Sequence, residues 1–160
     1  MNVADMTESE PAQGSISDLS ERIRFLRQLA DSYLSRSMYE QSELLLWEVL
    51  EIQHGLHGTV HPELVETMLA IGELNERLEK FSDAESFYAS ALSIVEELEN
   101  SNKSKLGRVL LKLLGIYGRR GDREKTFVFD DRLRSFLLKE SKTASEIDSE
   151  ASRPECLLAS

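Results

Sequence analysis

Residues 61–99, HPELVETMLAIGELNERLEKFSDAESFYASALSIVEELE, contain two apolar series at helical spacing with a short polar turn between them. The first series begins at Pro62, which suits the first turn of a helix because the N–H that proline lacks would have no partner there. The second is preceded by Ser82 and Glu85, which have the spacing of a capping box. This stretch therefore predicts two paired helices. They cover residues 62–78 and 82–100.

The pattern recurs on both sides of this stretch when the sequence is shifted by 42 residues. A column of small residues, Ser42, Ala84 and Thr126, indicates a place where the two helices of each pair cross closely. Five further columns stay apolar in all three copies: Leu26/Met68/Leu110, Leu29/Ile71/Leu113, Leu45/Phe87/Phe129, Val49/Ala91/Leu133 and Ile52/Ile94/Phe136. One helix pair cannot bury two apolar stripes by itself, so the pattern predicts a stack of repeats.

The repeats define the expected organisation of the chain as an all-α domain of six helices. Asp18 and Glu21 have capping-box spacing and mark the predicted start of the first helix, and Asp122 is the predicted cap of the sixth, which is expected to end near Glu140. The flanking segments have too little apolar surface to offset their ordering entropy, which predicts disordered acidic tails. The predicted segments are 1–17 (tail), 18–60, 61–102 and 103–140 (repeats) and 141–160 (tail).

The small and aromatic residues of these repeats resemble the signature of the tetratricopeptide repeat family. The middle copy carries this signature most fully, and the 42-residue spacing with His61-Pro62 is similar to the variety found in kinesin light chains. The matching residues of the middle copy are Ile71, Gly72, Phe81, Ala84, Tyr88, Ala91 and Leu92. The resemblance covers about residues 21–140. It implies a right-handed superhelical stack of three helix-turn-helix repeats that binds another protein without catalysis, as an adaptor or scaffold.

The resemblance also implies a binding site. In this family the first helices of successive repeats line a concave groove that receives a segment of a partner. Transferred to this chain, the groove is formed by Arg24, Arg27, Asp31, Glu66, Leu69, Glu73, Arg108, Leu111 and Lys112. These residues form a basic, acidic, then basic strip with apolar anchors, which would suit a partner segment with charges of both signs.

The sixth predicted helix suggests an alternative function. Its apolar residues are distributed around more than one side, so part of that surface is expected to be uncovered. Phe127, Val128 and Leu138 could then form an assembly face, and the chain would be a structural subunit that forms homo-oligomers. Leu157 and Leu158 of the C-terminal tail could instead cover this face.

The three histidines, His54, His57 and His61, fall within one short stretch. Imidazoles from one loop could converge on zinc, but neither a cysteine nor a well-placed fourth ligand is evident nearby, and His61 belongs to the repeat pattern. A plain surface loop is therefore favoured, and the sequence predicts no metal site.

Composition excludes several classes of function. The formal net charge is −10 and no basic stripe is present, which argues against nucleic acid and anionic membranes as partners. The chain has no Gly-rich phosphate loop and no G-x-S-x-G motif, so we expect no enzymatic activity and no cofactor. The single cysteine, Cys156, cannot form an internal disulfide, and no secretory signal pattern is present, so we expect a cytoplasmic location.

Overall fold

The computed structural model describes residues 13–98 and 103–151, with side chains described for residues 16–98 and 103–142. Within these ranges every regular element is a helix. The helices are α1 (Gln13–Ser35), α2 (Tyr39–His57), α3 (Pro62–Arg77), α4 (Phe81–Glu97), α5 (Lys103–Arg120) and α6 (Arg123–Ala151). None of the described helices is long and apolar enough to cross a membrane.

The helices form a stack of three pairs. Within each pair the two helices pack against each other, and α2 packs on α3 and α4 on α5 to join the pairs. The first pair is α1 and α2, the second α3 and α4, and the third α5 and α6. Because neighbours cover the second pair on both sides, it holds more fully buried residues than either of the other pairs, among them Leu64, Ile71 and Tyr88, each 0% exposed. The predicted six-helix, all-α architecture is confirmed.

The predicted starts of α3 and α6 are confirmed. His61 is the N-cap of α3, and Pro62 occupies the first turn. Gly121 has φ +71° after the end of α5, a conformation that glycine adopts without strain. The side chain of Asp122 then caps α6, because its Oδ1 accepts a hydrogen bond from the N–H of Lys125 at 3.1 Å.

The two predicted capping boxes are wrong. Helix α1 already begins at Gln13, so Asp18 lies inside it. Helix α4 begins at Phe81, before Ser82, and its N-cap Lys80 makes no side-chain capping bond. The backbone carbonyl of Lys80 accepts from the N–H of Ala84 at 3.0 Å, so the tight turn before α4 starts the helix without help from a side chain.

Helix α6 continues to Ala151, past the predicted end near Glu140. The reason is local, since no glycine or proline occurs between Gly121 and Pro154 to end it. The predicted tails therefore overlap helices at residues 13–17 and 141–151. Residues 1–12 and 152–160, which include Leu157 and Leu158, lie outside the described part of the chain.

Candidate partner-binding groove

Side chains of α1, α3 and α5 meet along one surface, which we call the groove. It contains two adjoining pockets of about 330 Å³ and 340 Å³ that share Glu73. The first is lined by Arg27, Asp31, Leu46, Glu66, Leu69, Ala70, Glu73 and Arg108, and the second by Glu73, Glu76, Arg77, Lys112 and Arg119. Most of the residues that the sequence assigned to a binding site are thus brought together. Arg24 and Leu111 are exposed but line neither pocket.

The apolar anchors differ from those expected. Leu69 is only 2% exposed because it packs into the main core, so it offers an edge to the first pocket and cannot serve as a protruding anchor. Leu111 is 55% exposed. Of the two predicted anchors, only Leu111 on α5 is therefore exposed to a partner.

The charges of the groove are paired across α3 and α5. Arg108 donates from Nη1 to both carboxylate oxygens of Glu66, at 3.0 and 2.9 Å, and Lys112 lies 2.9 Å from Glu73. Arg119 similarly donates to Glu76 at 2.5 Å. The predicted alternation of acidic and basic residues is present, but it forms internal ion pairs. A charged partner segment would have to compete with these pairs or bridge between them.

A buried tyrosine orients the carboxylate of Glu76. Tyr88 is 0% exposed and donates its hydroxyl to Glu76 at 2.5 Å. Burial, together with this bond to a carboxylate, raises the pKa of Tyr88 far above its ordinary value, so the hydroxyl stays a donor. The sequence analysis missed Glu76 and Arg119 as groove residues. Their spacing, 43 residues, is close to the repeat length and could have indicated the pair.

A buried polar chain fixes the first pair against the second. Arg27 of α1 donates to Thr67 of α3 at 3.2 Å, and Thr67 donates to the buried Gln53 of α2 at 2.7 Å. The Gln53 Nε2 atom has no partner among the described residues. Arg27 therefore joins α1 to α3 as well as lining the groove, because its loss would remove the hydrogen-bond donor to the buried Thr67.

Outside the groove, an acidic residue joins the second pair to the third. Glu85 of α4 forms ion pairs with Arg120 and with Lys125, the latter at 2.9 Å. Burial raises the pKa of Glu85, but hydrogen bonds from Lys125 and Tyr117 and the nearby positive charges outweigh this effect, so the pKa is lowered. Burial and the bond to Glu85 raise the pKa of Tyr117 to about 12.

This cluster predicts a pH-dependent stability. Because the folded-state pKa of Glu85 lies below its ordinary value, its contribution is fully present above pH 4.5 and is lost as the pH falls through the folded-state pKa. We expect Glu85→Gln to lower the free energy of unfolding by about 1 kcal/mol at pH 7. The difference from the wild type should shrink below pH 4.5 in urea denaturation. Glu97→Gln, on the exposed side of the same helix, is the control and should have little effect at either pH. A difference for Glu85→Gln that stays constant down to about pH 3 would contradict the assigned role of its charge.

The residues of the expected assembly face are all exposed, but they do not share one direction on α6. Phe127, Val128 and Leu138 are exposed by 74%, 52% and 63%. Consecutive helical residues point about 100° apart, so Val128 faces a different direction from Phe127. The charged pair Asp130–Arg134 lies between Phe127 and Leu138 along α6. Phe127 instead lines a hollow of about 720 Å³ between α5 and α6, together with Leu114 and Thr126.

An exposed apolar surface on α2 was not predicted. Leu44 and Trp47, exposed by 71% and 46%, line a hollow of about 540 Å³. Trp47 also makes an edge-to-face contact with Phe87 of α4, with 5.5 Å between ring centroids. The repeat alignment identified Phe87 as an apolar column residue, but Trp47 falls in no column, so periodicity gave no signal for this surface.

Comparison with known proteins agrees with this architecture. Residues 21–97 match the model of the tetratricopeptide repeat family. The crystal structure of BtubC (BKLC) from P. vanneervenii is similar with a TM-score of 0.68 and 18% sequence identity, and the match covers 86% of this chain and 52% of that protein. A Podosopora anserina protein with nearly identical TPR-like repeats, provisionally named a kinesin light chain, is similar with a TM-score of 0.65 and 17% identity, covering 75% of this chain and 57% of that protein.

A variant of the same Podosopora protein gives a TM-score of 0.66 at 16% identity, covering 76% of this chain and 57% of the other. The chain thus spans little more than half the length of these proteins. At such identities the similarity shows the fold alone, and it confirms the predicted stack of TPR-like repeats. A search of curated proteins found no significant match.

Proposed function

Because residues 21–97 of this chain belong to the tetratricopeptide repeat family, whose repeats generally serve as protein interaction modules, we propose that the chain is an adaptor or scaffold that binds a partner segment in the groove. The observation that carries the proposal is the pair of adjoining pockets, in which three helices present partly exposed charges around the shared Glu73. Ion pairs and buried hydrogen bonds hold these side chains in place, so the partner would bear most of the ordering cost of binding.

The charges of the groove indicate the chemistry of the partner. Arg77 lines the second pocket, and neither it nor Asp31 in the first forms an ion pair within the described part of the chain. These two side chains can therefore bind groups of opposite charge without breaking an internal pair. A segment with one basic and one acidic residue, and an apolar residue to contact Leu111, would satisfy all three.

A charge-swap variant tests the groove without removing an ion pair. Glu73→Lys combined with Lys112→Glu keeps opposite charges facing each other across α3 and α5 but inverts the pattern that a partner meets. The matched control is Glu96→Arg with Arg132→Glu, an ion pair between α4 and α6 whose exposures of 42% and 43% are close to the 39% and 38% of the groove pair. Both variants should keep their fold, which circular dichroism and thermal unfolding would show.

The binding experiment uses peptide segments selected from a display library against the wild-type chain. We expect the selected segments to bind the wild type and the control swap equally, and to bind the groove swap at least about tenfold more weakly, because like charges would then face each other across the interface. Equal binding by all three proteins would place the site outside the groove and would overturn the proposal.

Self-assembly is the second candidate function, and one observation favours it. The hollow beside Phe127 lies at the end of the described stack, where a further helix pair would pack in a longer array. A second copy of the chain could occupy it. Light scattering over a wide concentration range tests this candidate. A mass that rises with concentration in the wild type but not in Phe127→Glu would support it, and a monomer at every concentration would exclude it.

A further inference from the structure

The junction between the first and second helix pairs brings together two imidazoles and a carboxylate. His57 is the last residue of α2, His61 is the N-cap of α3, and Glu63 lies in the first turn of α3. One ligand atom from each of the three lies within 4.8 Å of the others. His57 Nε2 is 3.5 Å from Glu63 Oε2, and the rings of His57 and His61 stack with centroids 3.9 Å apart.

We propose that His57, His61 and Glu63 form a site for a divalent transition-metal ion of the Zn²⁺ type. Imidazole nitrogen and carboxylate oxygen are ligands that zinc accepts, and a site with three protein ligands leaves a fourth position for water. The sequence had indicated the histidines but no further ligand. The missing ligand is Glu63, which the turn at residues 58–61 places beside His57.

The ligand atoms already lie close to the separations that one zinc ion requires. Zinc–ligand bonds of about 2.0–2.2 Å in tetrahedral geometry place the ligand atoms about 3.4 Å from one another. The His57–Glu63 separation of 3.5 Å already meets this requirement. The remaining separations, at most 4.8 Å, need to close by up to about 1.4 Å. The side chains of His57 and Glu63 are 29% and 52% exposed, so both have room to adjust.

Binding must also change two local interactions. The stacked rings have to tilt, because a metal ion lies in the plane of each imidazole that binds it. The Nδ1 atom of His61 accepts from the N–H of Glu63 at 3.3 Å, a bond that requires the tautomer with the ring proton on Nε2. Coordination by Nδ1 uses the lone pair that accepts this long capping bond. Coordination by Nε2 moves the ring proton to Nδ1, so the bond is lost in either case. The bound ion would then connect the end of α2 to the start of α3 and fix the first pair against the second.

The test uses zinc alone as the probe, with the full chain in a Cys156→Ser background so that the single thiol cannot bind the ion. Isothermal titration is expected to show one Zn²⁺ per chain. His57→Gln and Glu63→Gln should each weaken binding at least about tenfold. His61→Asn should do the same while keeping an N-cap, because asparagine is among the best capping residues. His54→Gln, the same substitution one turn earlier on α2, is the matched control and should bind like the background protein.

A second measurement shows whether the ion acts at the junction. Zinc at saturating concentration should raise the melting temperature of the background protein and of His54→Gln, but not that of His57→Gln. The proposal would be overturned by an absence of saturable binding. It would equally be overturned if His57→Gln, His61→Asn and Glu63→Gln all kept the affinity of the background protein, since the ion would then be bound elsewhere. Neither outcome bears on the groove, which shares no residue with this site.

Discussion

Gly72→Ala is expected to lower the free energy of unfolding by about 3 kcal/mol, although alanine is the better helix former. A Cβ atom at position 72 would overlap three ring atoms of Tyr88, each closer than 3.0 Å. The ring cannot move aside cheaply, because Tyr88 is 0% exposed and its hydroxyl is bonded to Glu76. Urea denaturation should show a lower midpoint with an unchanged m-value.

Gly115→Ala is the matched control for this prediction. Gly115 also lies inside a helix, but a Cβ atom there would meet nothing within 4 Å. The substitution should therefore stabilise the protein by about 0.5–1 kcal/mol. In a Tyr88→Leu background, Gly72→Ala should cost less than it does in the wild type, since a smaller side chain leaves space for the added methyl group. If Gly72→Ala alone were as stable as Gly115→Ala, the close approach of α3 and α4 would be disproved.

Ala84→Leu is expected to destabilise the protein by about 1–3 kcal/mol through overpacking. Ala84 is 0% exposed, and its equivalent in the first pair, Ser42, shows what this position contacts. The Ser42 hydroxyl donates to the carbonyl of Ala30 on α1 at 3.0 Å, so this column lies directly against the backbone of the first helix of its pair. A leucine at position 84 would force α3 and α4 apart.

The control for Ala84→Leu is Ala89→Leu, which places the same side chain at an exposed position of the same helix. Its effect on the unfolding free energy should stay within about 0.5 kcal/mol. Thermal and urea unfolding of the two variants give the comparison. Near-identical stabilities would mean that the register of α4 against α3 differs from the one described.

The sequence alone determined the architecture of this protein. The five apolar columns contain buried or partly buried residues in every pair, for example Val49, Ala91 and Leu133 at 0%, 0% and 7% exposure. This worked because a helix repeats its contacts at a fixed spacing, and a stack repeats them again at the length of one pair. The start of α3 at Pro62 and the cap at Asp122 were also predicted correctly, because each depends on a short local segment.

The tertiary structure decided which side chains of the groove are available. Sequence placed Glu66 and Arg108 on the same strip, but only the packing of α3 beside α5 shows that they neutralise each other. It likewise shows that Leu69 is buried while Leu111 is exposed. Repeat alignment gives the face on which a residue lies, whereas exposure and charge pairing depend on the neighbouring helix. For the same reason the cluster of His57, His61 and Glu63 emerges only once the turn between α2 and α3 is folded.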